Sequence, residues 1–377
     1  MTTTINNEHK KLNVPNLRFP EFQGEWEEYT LQDVVTFSNG KAHENCVNDD
    51  GDYILVNSKF VSTNGQVQKR VTSQLSPLHK SQFVMVMSDL PNGKALAKCF
   101  YVEEDNKYTL NQRVCSFTSN DGNVSRFLMY QINRNKYYLR FDDGINQTNL
   151  KKSEVLSCPV FIPIVREQEK IATLLCKIDE RIATQNKIID KLQSLIKGIR
   201  NDVFGKLRKD IGLNAKVGDV LSYEQPQPYI VEDTEYTAGG TPVLTANKAF
   251  VLGYTSETDG IYDKGDCIIF DDFTLDCKYV DFPFKVKSSA IKILTAKNKV
   301  LLRYTFEFLK YLDLSTDEHK RHYIAETQNQ EFILPTTQIV RTIAHAFSTL
   351  SSRMQTIVKQ RDMLELQKQY LLRQMFI

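Results

Sequence analysis

The sequence predicts an α+β fold, in which two duplicated strand-rich domains are separated by a long antiparallel two-helix coiled coil, with pseudo-twofold symmetry within one chain. Three observations predict this fold: a long heptad segment in the middle of the chain, a second one at the C-terminus, and a repeat of the strand-rich sequence before each. With 377 residues, the chain also exceeds the roughly 250 to 300 residues at which a single hydrophobic core stops growing.

The first heptad segment lies in the middle of the chain. Its apolar residues follow steps of four and three, which is the 3.5-residue period of a coiled-coil seam, with Gln185 as a polar exception. A core helix of a compact domain is the alternative, but such helices usually have roughly 10 to 14 residues, and this one would run roughly 50 Å. The predicted seam residues are Ile171, Leu175, Ile178, Ile182, Ile189, Leu192, Ile196, Ile199 and Val203.

The second heptad segment matches the first without a gap. Pro163 and Pro335 are 172 residues apart, and so are Phe204 and Phe376. The first helix ends at the second domain and the second helix starts there, so a pair formed by their seams must be antiparallel. The charged residues Arg361 and Lys368 occupy two of its seam positions. The other predicted seam residues are Val340, Ile343, Phe347, Leu350, Met354, Ile357, Leu364 and Leu371.

Strand-rich sequence precedes each helix and repeats more weakly. TLQDVVTFSNG resembles KVGDVLSYEQP, ILVNSKFV resembles VLTANKAF, and FVMVMSD resembles DCIIFDD. Short runs rich in Val, Ile, Phe and Tyr between Gly, Asn and Asp turns predict strands. The predicted organisation is a flexible arm over residues 1–16, a first domain over 17–165, a central helix over 166–205, a second domain over 206–338 that begins with a linker at 206–216, and a C-terminal helix over 339–377.

Composition narrows the class of protein. The chain has 48 basic and 46 acidic residues, so any basic surface must be local. No apolar run of about 18 residues is present, which excludes a helical membrane protein. Seven cysteines without a C-x-x-C pair argue against a disulfide framework and favour a reducing, cytoplasmic location. No phosphate-binding loop or methyltransferase motif is present, so the chain is not expected to be an enzyme.

Two segments carry a family resemblance. The opening NLRFPEFQGEWEEYTLQDVV and the helix start REQEKIATLLCKIDERI, which follows FIPIV, together with the duplicated layout, resemble the specificity subunit of type I restriction-modification enzymes. The resemblance covers nearly all of the chain from Leu17 onward. It implies that each strand-rich domain is a target recognition domain reading one half of a bipartite sequence in double-stranded DNA.

The resemblance also implies partners. The helices would set the unread spacer and dock two modification subunits, which are adenine methyltransferases, and restriction subunits would join the complex. S-adenosylmethionine, Mg and ATP are expected on those partner subunits, with no cofactor, metal or catalytic residue in this chain. The helix flank with Arg166, Glu167, Lys170, Lys177, Arg181 and Lys187 is a candidate docking surface.

Candidate DNA-binding residues come from turns rich in Asn, Gln, Lys and Arg. Asn and Gln pair well with adenine, Arg and Lys with guanine, and further Lys with phosphates. An ordinary polar turn is the alternative for each. In the first domain the candidates are Asn57, Lys59, Asn92, Lys94, Asn111, Gln112, Arg113, Asn146 and Gln147; in the second they are Asn247, Lys248, Lys278, Lys320, Arg321 and His322.

The sequence gives less support to other functions. The string Asp276-Cys277-Lys278 resembles part of a nuclease motif but has no second acid at a suitable distance, and His319 with His322 lacks the remaining zinc ligands. Trp26 is expected to anchor the N-terminal segment. A two-headed coiled-coil adaptor, as in a phage or surface assembly, with protein-binding heads remains the alternative function.

Overall fold

The computed structural model describes residues 12–245, 250–316 and 321–377. The chain divides into two units, Met1–Ala183 with Arg361–Ile377, and Thr184–Gln360. Each unit holds one strand-rich domain, called below the first or the second head, together with segments of two long helices. Within the described part of the chain, no helix is both long and apolar enough to cross a membrane.

The first head extends from β1 to β11 and is followed by the long helix α6. Its elements are β1 (Glu27–Thr30), α1 (Leu31–Val34), β2 (Val35–Asn39), a 3-10 turn (Glu44–Cys46), β3 (Tyr53–Val56), α2 (Ser58–Ser62), β4 (Arg70–Val71), β5 (Phe83–Val86), β6 (Ser88–Asp89), β7 (Cys99–Tyr101), β8 (Tyr108–Leu110), β9 (Val114–Ser119), α3 (Ser125–Ile132), α4 (Lys136–Leu139), β10 (Thr148–Asn149), α5 (Lys152–Leu156), β11 (Pro159–Ile162) and α6 (Val165–Asp210).

Two sheets form the centre of the first head. One is antiparallel in the order β2-β9-β5-β7, and the other has the order β4-β3-β8, with β3 parallel to β8. Strand β5 is buried on both faces: Phe83 and Met85 join the core that contains α3, while Val84 and Val86 pack with residues of β3 and β8. This double burial explains why FVMV is a continuous apolar run rather than an alternating one.

The second head extends from β12 to β20 and is followed by the long helix α9. Its elements are β12 (Ala215–Lys216), α7 (Val217–Val220), β13 (Leu221–Glu224), a 3-10 turn (Gln227–Tyr229), β14 (Thr241–Leu244), β15 (Val251–Thr255), β16 (Cys267–Asp271), β17 (Cys277–Val280), β18 (Lys285–Val286), β19 (Ile291–Ala296), α8 (Leu301–Leu312), a 3-10 turn (Thr327–Asn329), β20 (Glu331–Phe332) and α9 (Thr337–Gln374).

The second head repeats the topology of the first. Its sheets have the orders β13-β19-β16-β17 and β15-β14-β18, again with one parallel pair, β14 and β18. In each head a short antiparallel pair joins the first strand to the last, β1 with β11 and β12 with β20. The predicted duplicated α+β fold with two long helices is therefore confirmed.

Both long helices bury the predicted seam face. All seam residues of α6 and α9 are buried or partly buried, while Lys177, Arg181 and Lys187 on the flank of α6 are exposed. In the first unit the Lys368 Nζ of α9 donates to the Asp179 Oδ1 of α6 at 2.5 Å. In the second unit the Arg200 guanidinium of α6 lies 5.8 Å from the Phe347 ring of α9.

Phe204 and Phe376, which are 172 residues apart, occupy equivalent places in the two units. In the first unit Phe376 contacts the rings of Trp26 and Phe127, at centroid distances of 6.4 and 5.2 Å. Trp26 is 2% exposed, which confirms its predicted anchoring role. In the second unit Phe204 packs against three aromatic rings of α8, namely Tyr304, Phe308 and Tyr311. Each long helix is therefore held near its C-terminal end by a phenylalanine that packs in an aromatic cluster.

The two motifs that carried the family resemblance meet in the first unit. Arg18 of the opening motif pairs with Glu167 of the helix-start motif through two bonds, Nε to Oε1 at 2.8 Å and Nη2 to Oε2 at 2.7 Å. Glu167 is fully buried. Its assignment to an exposed docking flank is therefore wrong, because burial and the Arg18 fork commit its carboxylate to holding the N-terminal segment.

Helix α6 is longer than predicted. It continues to Asp210, five residues past the predicted boundary at 205, because Phe204 and Leu207 still pack into the core of the second unit. Gly212, at φ +77°, follows its end in the left-handed conformation that favours glycine. Only the last part of the predicted linker at 206–216 is therefore a connection, and residues 1–11 of the predicted arm lie outside the described residues.

Candidate nucleic-acid interface

The ends of the parallel strands β3 and β8 place two candidate asparagines at one edge of the first head. Asn57 follows β3 and Asn111 follows β8, and the Asn111 amide donates to the Val56 carbonyl at 3.1 Å. The Asn57 side chain accepts a bond from the Phe60 amide at 2.9 Å and so caps helix α2, which presents Lys59 to solvent. The Asn111 Oδ1 atom is buried and accepts no bond.

Strands β5 and β9 bring a second pair of segments to the same edge. Strand β5 ends where β9 begins, and the Met87 amide donates to the Arg113 carbonyl at 3.0 Å. The side chains of Arg113 and Gln112 are exposed beside Asn111. Gln112 donates from Nε2 to Glu44 Oε1 at 3.1 Å.

A loop over residues 88–98 leaves β5 at this edge and is organised by one carboxylate. Asp89 accepts bonds from the amides of Ala95 at 2.6 Å, Leu96 at 3.1 Å and Leu90 at 2.9 Å. A Cβ on Gly93 would lie 2.0 Å from the Asp89 carboxylate, so this turn requires glycine. The loop thereby holds Asn92 and Lys94 in exposed positions.

A second loop, residues 142–149, packs against the first. Asn92 Nδ2 donates to the Gly144 carbonyl at 3.3 Å, and Gln147 Nε2 donates to Ser88 Oγ at 2.8 Å. Strand β10 of this loop also pairs with β6. Bonds from the backbone and side chain of Asn146 lower the pKa of Asp143 to about 2, because they stabilise its charged form.

These four segments form one surface, here called the strand-end surface of the first head: residues 57–59, 88–98, 111–113 and 142–149. All nine first-domain candidates belong to these segments, and all but Asn57 and Asn111, which are partly buried, are exposed. Exposed amides and cations on a concentrated surface match the residue types that read base edges and phosphates.

The structure adds three cations that the sequence analysis missed. Lys41 forms a bridge with Asn111, Lys98 Nζ donates to the Ser62 carbonyl at 2.8 Å, and Arg134 Nη1 donates to the Gly93 carbonyl at 3.2 Å. Burial lowers the pKa of Lys98, and the charges of Lys368 and Arg134 lower it further. A signal existed for Lys41: the string N-G-K occurs at residues 39–41 as well as at 92–94.

Three equivalent backbone bonds locate the strand-end surface of the second head. In the second head the Lys287 amide donates to the Leu244 carbonyl, and the equivalent bond in the first head joins Asn111 to Val56. Likewise, the Asp272 amide donates to the Ala290 carbonyl, which is equivalent to the bond from Met87 to Arg113. His322 donates to Asp272 as Leu150 does to Met87. Segments that differ in sequence, around residues 150 and 322, therefore occupy the same place. The candidates Asn247, Lys248 and Lys320, and also His319, lie outside the described residues.

Of the three described candidates in the second head, His322 differs from expectation. His322 is 1% exposed, and its Nδ1 lies 2.9 Å from Glu326 Oε2, so it is not the solvated or DNA-facing side chain that the sequence predicted. Lys278 pairs with Asp276 at 3.1 Å, which compensates its charge. Arg321 remains exposed, and its guanidinium lies 5.9 Å from the Phe273 ring.

A buried ion pair lies beneath this second surface. Asp272 accepts bonds at Oδ1 from the amides of His322 at 3.1 Å and Tyr323 at 2.8 Å, and its Oδ2 lies 3.5 Å from Lys292 Nζ. Lys292 also donates to Gln225 Oε1 at 2.7 Å. Asp272 and Lys292 are each 1% exposed. The pair was not recognised from the sequence, because nothing local marks a charged residue as buried.

Comparison with known proteins shows which class of protein the first head resembles. Residues 23–194 match the family described as the type I restriction modification DNA specificity domain. The first head, with the start of α6, is therefore similar to DNA specificity domains of the type I restriction-modification class.

Individual proteins show the same likeness. The chain is 45% identical over 126 residues to the type I restriction enzyme EcoR124I/EcoR124II specificity subunit of Escherichia coli, a match that covers 32% of this chain and 31% of that protein. It also resembles the solved S subunit of a type I restriction-modification system from M. genitalium, with a TM-score of 0.62, 15% identity, and coverage of 97% of this chain and 99% of that one. The structural likeness concerns the fold, and the resemblance noted in the sequence is confirmed.

Proposed function

We propose that this protein is the DNA sequence-specificity subunit of a type I restriction-modification complex, in which each head reads one half of a bipartite target in double-stranded DNA. The observation that carries the proposal is the strand-end surface of the first head, where amide side chains and cations from four separate segments converge. Asn and Gln suit adenine, Arg suits guanine, and the lysines suit phosphates. The match to a DNA specificity domain over residues 23–194 supports the same role.

The long helices have two proposed roles. Their fixed length sets the unread spacer between the half-sites, just as half-site spacing mirrors protein geometry in other DNA readers. Their exposed flank, with Arg166, Lys177, Arg181 and Lys187, docks two adenine-methyltransferase subunits. Those subunits bind S-adenosylmethionine, restriction subunits use ATP and Mg, and this chain contributes recognition rather than catalysis.

The direct test is methylation by a reconstituted complex. The chain is co-expressed with a type I modification subunit, and methylated adenines are mapped by single-molecule sequencing. We expect methylation at one split motif and salt-sensitive DNA binding. Absence of both, with the purified complex intact, overturns the proposal and favours the adaptor function.

Two designed changes test the division of labour. Exchanging Asn92 and Asn146 for Ala is expected to change the methylated motif in one half only, while Lys80→Ala, an exposed residue before the opposite end of β5, leaves the motif unchanged. Inserting a heptad into both α6 and α9 is expected to lengthen the spacer and preserve both half-sequences. A change in both half-sequences after the head substitutions contradicts the modular assignment.

A further inference from the structure

In the second unit, one buried carboxylate joins the head to the long helix α6. Glu307 of α8 is 1% exposed. The Arg200 guanidinium of α6 donates to its Oε2 from Nε at 2.9 Å and from Nη2 at 2.7 Å. Arg303 of α8 donates to the other oxygen, Oε1, at 2.7 Å. Both carboxylate oxygens are therefore occupied by charge-assisted bonds, which are short and directional.

The same network reaches the other long helix. Arg303 Nη2 also donates to Ser351 Oγ and, at 3.4 Å, to the Phe347 carbonyl, both on α9. The Arg200 guanidinium lies over the Phe347 ring. The Glu307 carboxylate of α8 thus binds α6 directly through Arg200, and Arg303 connects it to α9. The planar guanidinium groups restrict the angles between these helices more than flexible ammonium groups would.

In the first unit, different side chains connect the head to the two long helices. Asp179 of α6 accepts a bond from the Tyr130 hydroxyl of α3 at 2.7 Å and pairs with Lys368 of α9. Ser351 of α9 lies 172 positions after Asp179 of α6, so the two residues occupy duplicated positions. Both bond to the neighbouring head helix, but in the second unit the carboxylate belongs to that helix, α8, and not to the long helix. The Asp179 side chain is 37% exposed, against 1% for Glu307. The network around Glu307 in the second unit is therefore more buried and more directional than the network around Asp179 in the first.

We propose that Glu307 is a positioning residue, which holds the second head at one orientation on both long helices and thereby sets how strictly the protein requires a single spacer length. The inference rests on the proposed function for its DNA consequence. Its structural part, the fixed orientation of the second head on its own helix segments, stands without it. A head that rocks on its helices tolerates half-sites displaced by one base pair, whereas a clamped head rejects them.

The test replaces the buried pair of Arg200 and Glu307 with apolar side chains. The double variant R200M/E307L keeps similar side-chain volume, and Arg303, whose side chain is 13% exposed, keeps its bonds to Ser351 and to the Phe347 carbonyl. The full complex methylates targets whose spacer is the native length or one base pair longer or shorter. We expect the ratio of methylation on the altered spacers to that on the native spacer to rise at least tenfold, with both half-sequences unchanged. The control R208M/D202L removes exposed charges of the same helix and leaves the ratio unchanged.

A second readout separates this proposal from the proposed function. Spin labels on noncanonical residues at exposed positions 191 and 287, both in the second unit, report the distance between α6 and the head. We expect a narrow distribution in the wild type and a broader one in R200M/E307L. If the wild-type complex methylates no split target, the proposed function fails, and the distance distribution still decides the positioning role. Unchanged spacer ratios and an unchanged distribution in folded variant protein overturn the inference.

A milder variant covers loss of folding in the double variant. Ser351→Ala removes only the side-chain contact to α9 and leaves the buried ion pairs intact. We expect a smaller rise in the spacer ratio and a detectable broadening of the distance distribution. No change in either quantity contradicts the proposal.

Discussion

The strand-end surfaces of the two heads have the same backbone plan and different chemistry beneath it. In the first head, Met87, Cys115 and Leu150 occupy positions where the second head has Asp272, Lys292 and His322. An apolar trio is thus replaced by a buried polar one, while strand order and the backbone bonds stay the same. The difference shows that the segment docked against the central strand tolerates either hydrophobic packing or an ion pair with amide bonds. The residues of a strand-end surface can therefore differ between the two heads while the strand order stays the same.

The largest expected effect comes from breaking the ion pair. Asp272→Ala leaves Lys292 buried without its carboxylate and two amides without an acceptor, so we expect a loss of about 3 to 5 kcal/mol in the free energy of unfolding. Urea denaturation of the full chain measures it. The double variant D272M/K292C installs the groups of the first head and is expected to recover most of the loss. A loss below about 1 kcal/mol for Asp272→Ala would contradict the assigned role.

A smaller effect is expected in the first head, where the carboxylate serves a loop. Asp89→Ala removes the acceptor of three amides, and we expect a loss of about 1 to 3 kcal/mol. Hydrogen exchange at the Ala95 and Leu96 amides is expected to accelerate. Asp121→Ala, at an exposed turn of the same head, is the matched control and leaves exchange at these amides unchanged.

A still smaller effect, on binding rather than stability, is expected from one surface cation. On the proposed function, Lys94→Ala removes a phosphate-binding charge, so affinity should fall for all DNA sequences alike and the salt dependence should weaken by about one unit of slope. Titration of the complex with labelled duplexes at several salt concentrations measures both. Lys80→Ala is the control. Sequence-selective loss in Lys94→Ala would instead assign the side chain to a base.

The smallest effect concerns pH and the loop at 142–149. Because the folded-state pKa of Asp143 is about 2, below its usual range near 4, its contribution is complete above about pH 4 and is lost as the pH falls towards 2. We expect the stability difference between wild type and Asp143→Asn to narrow on acidification from pH 5 to pH 2. A difference independent of pH would show that the Asn146 bonds do not depend on the charge.

The helices and the duplication could be predicted from sequence because their signals are local or periodic. A 3.5-residue repeat persists over ten seam positions, and the 172-residue offset is constant along both helices. The strand repeats were less secure. The strand pairing confirms the match of TLQDVVTFSNG with KVGDVLSYEQP. It shifts the match of ILVNSKFV with VLTANKAF by one residue and that of FVMVMSD with DCIIFDD by two. Short apolar strands carry no marker that fixes such a register.

The candidate surface was only partly predictable, for a similar reason. Residue type was sufficient to select Asn92 and Gln147, but their proximity depends on the pairing of β6 with β10, which is a non-local event. Burial of His322 depends on a docking segment and a strand 50 residues away, and no sequence pattern near it differs from an exposed polar turn. Partners distant in sequence decide whether a polar side chain faces solvent.

The aromatic clusters around Phe204 and Phe376 have a consequence for recombination between related genes. Each ring belongs to the helix that arrives at a head rather than to the head itself, and it packs against that head's own aromatic residues. A crossover at the apparent border of a head, near residue 205, would join an incoming ring to an unrelated cluster. A crossover inside α6, between residues 184 and 195, transfers the second head together with the ring that fits it. Functional chimaeras should therefore have junctions within the helix.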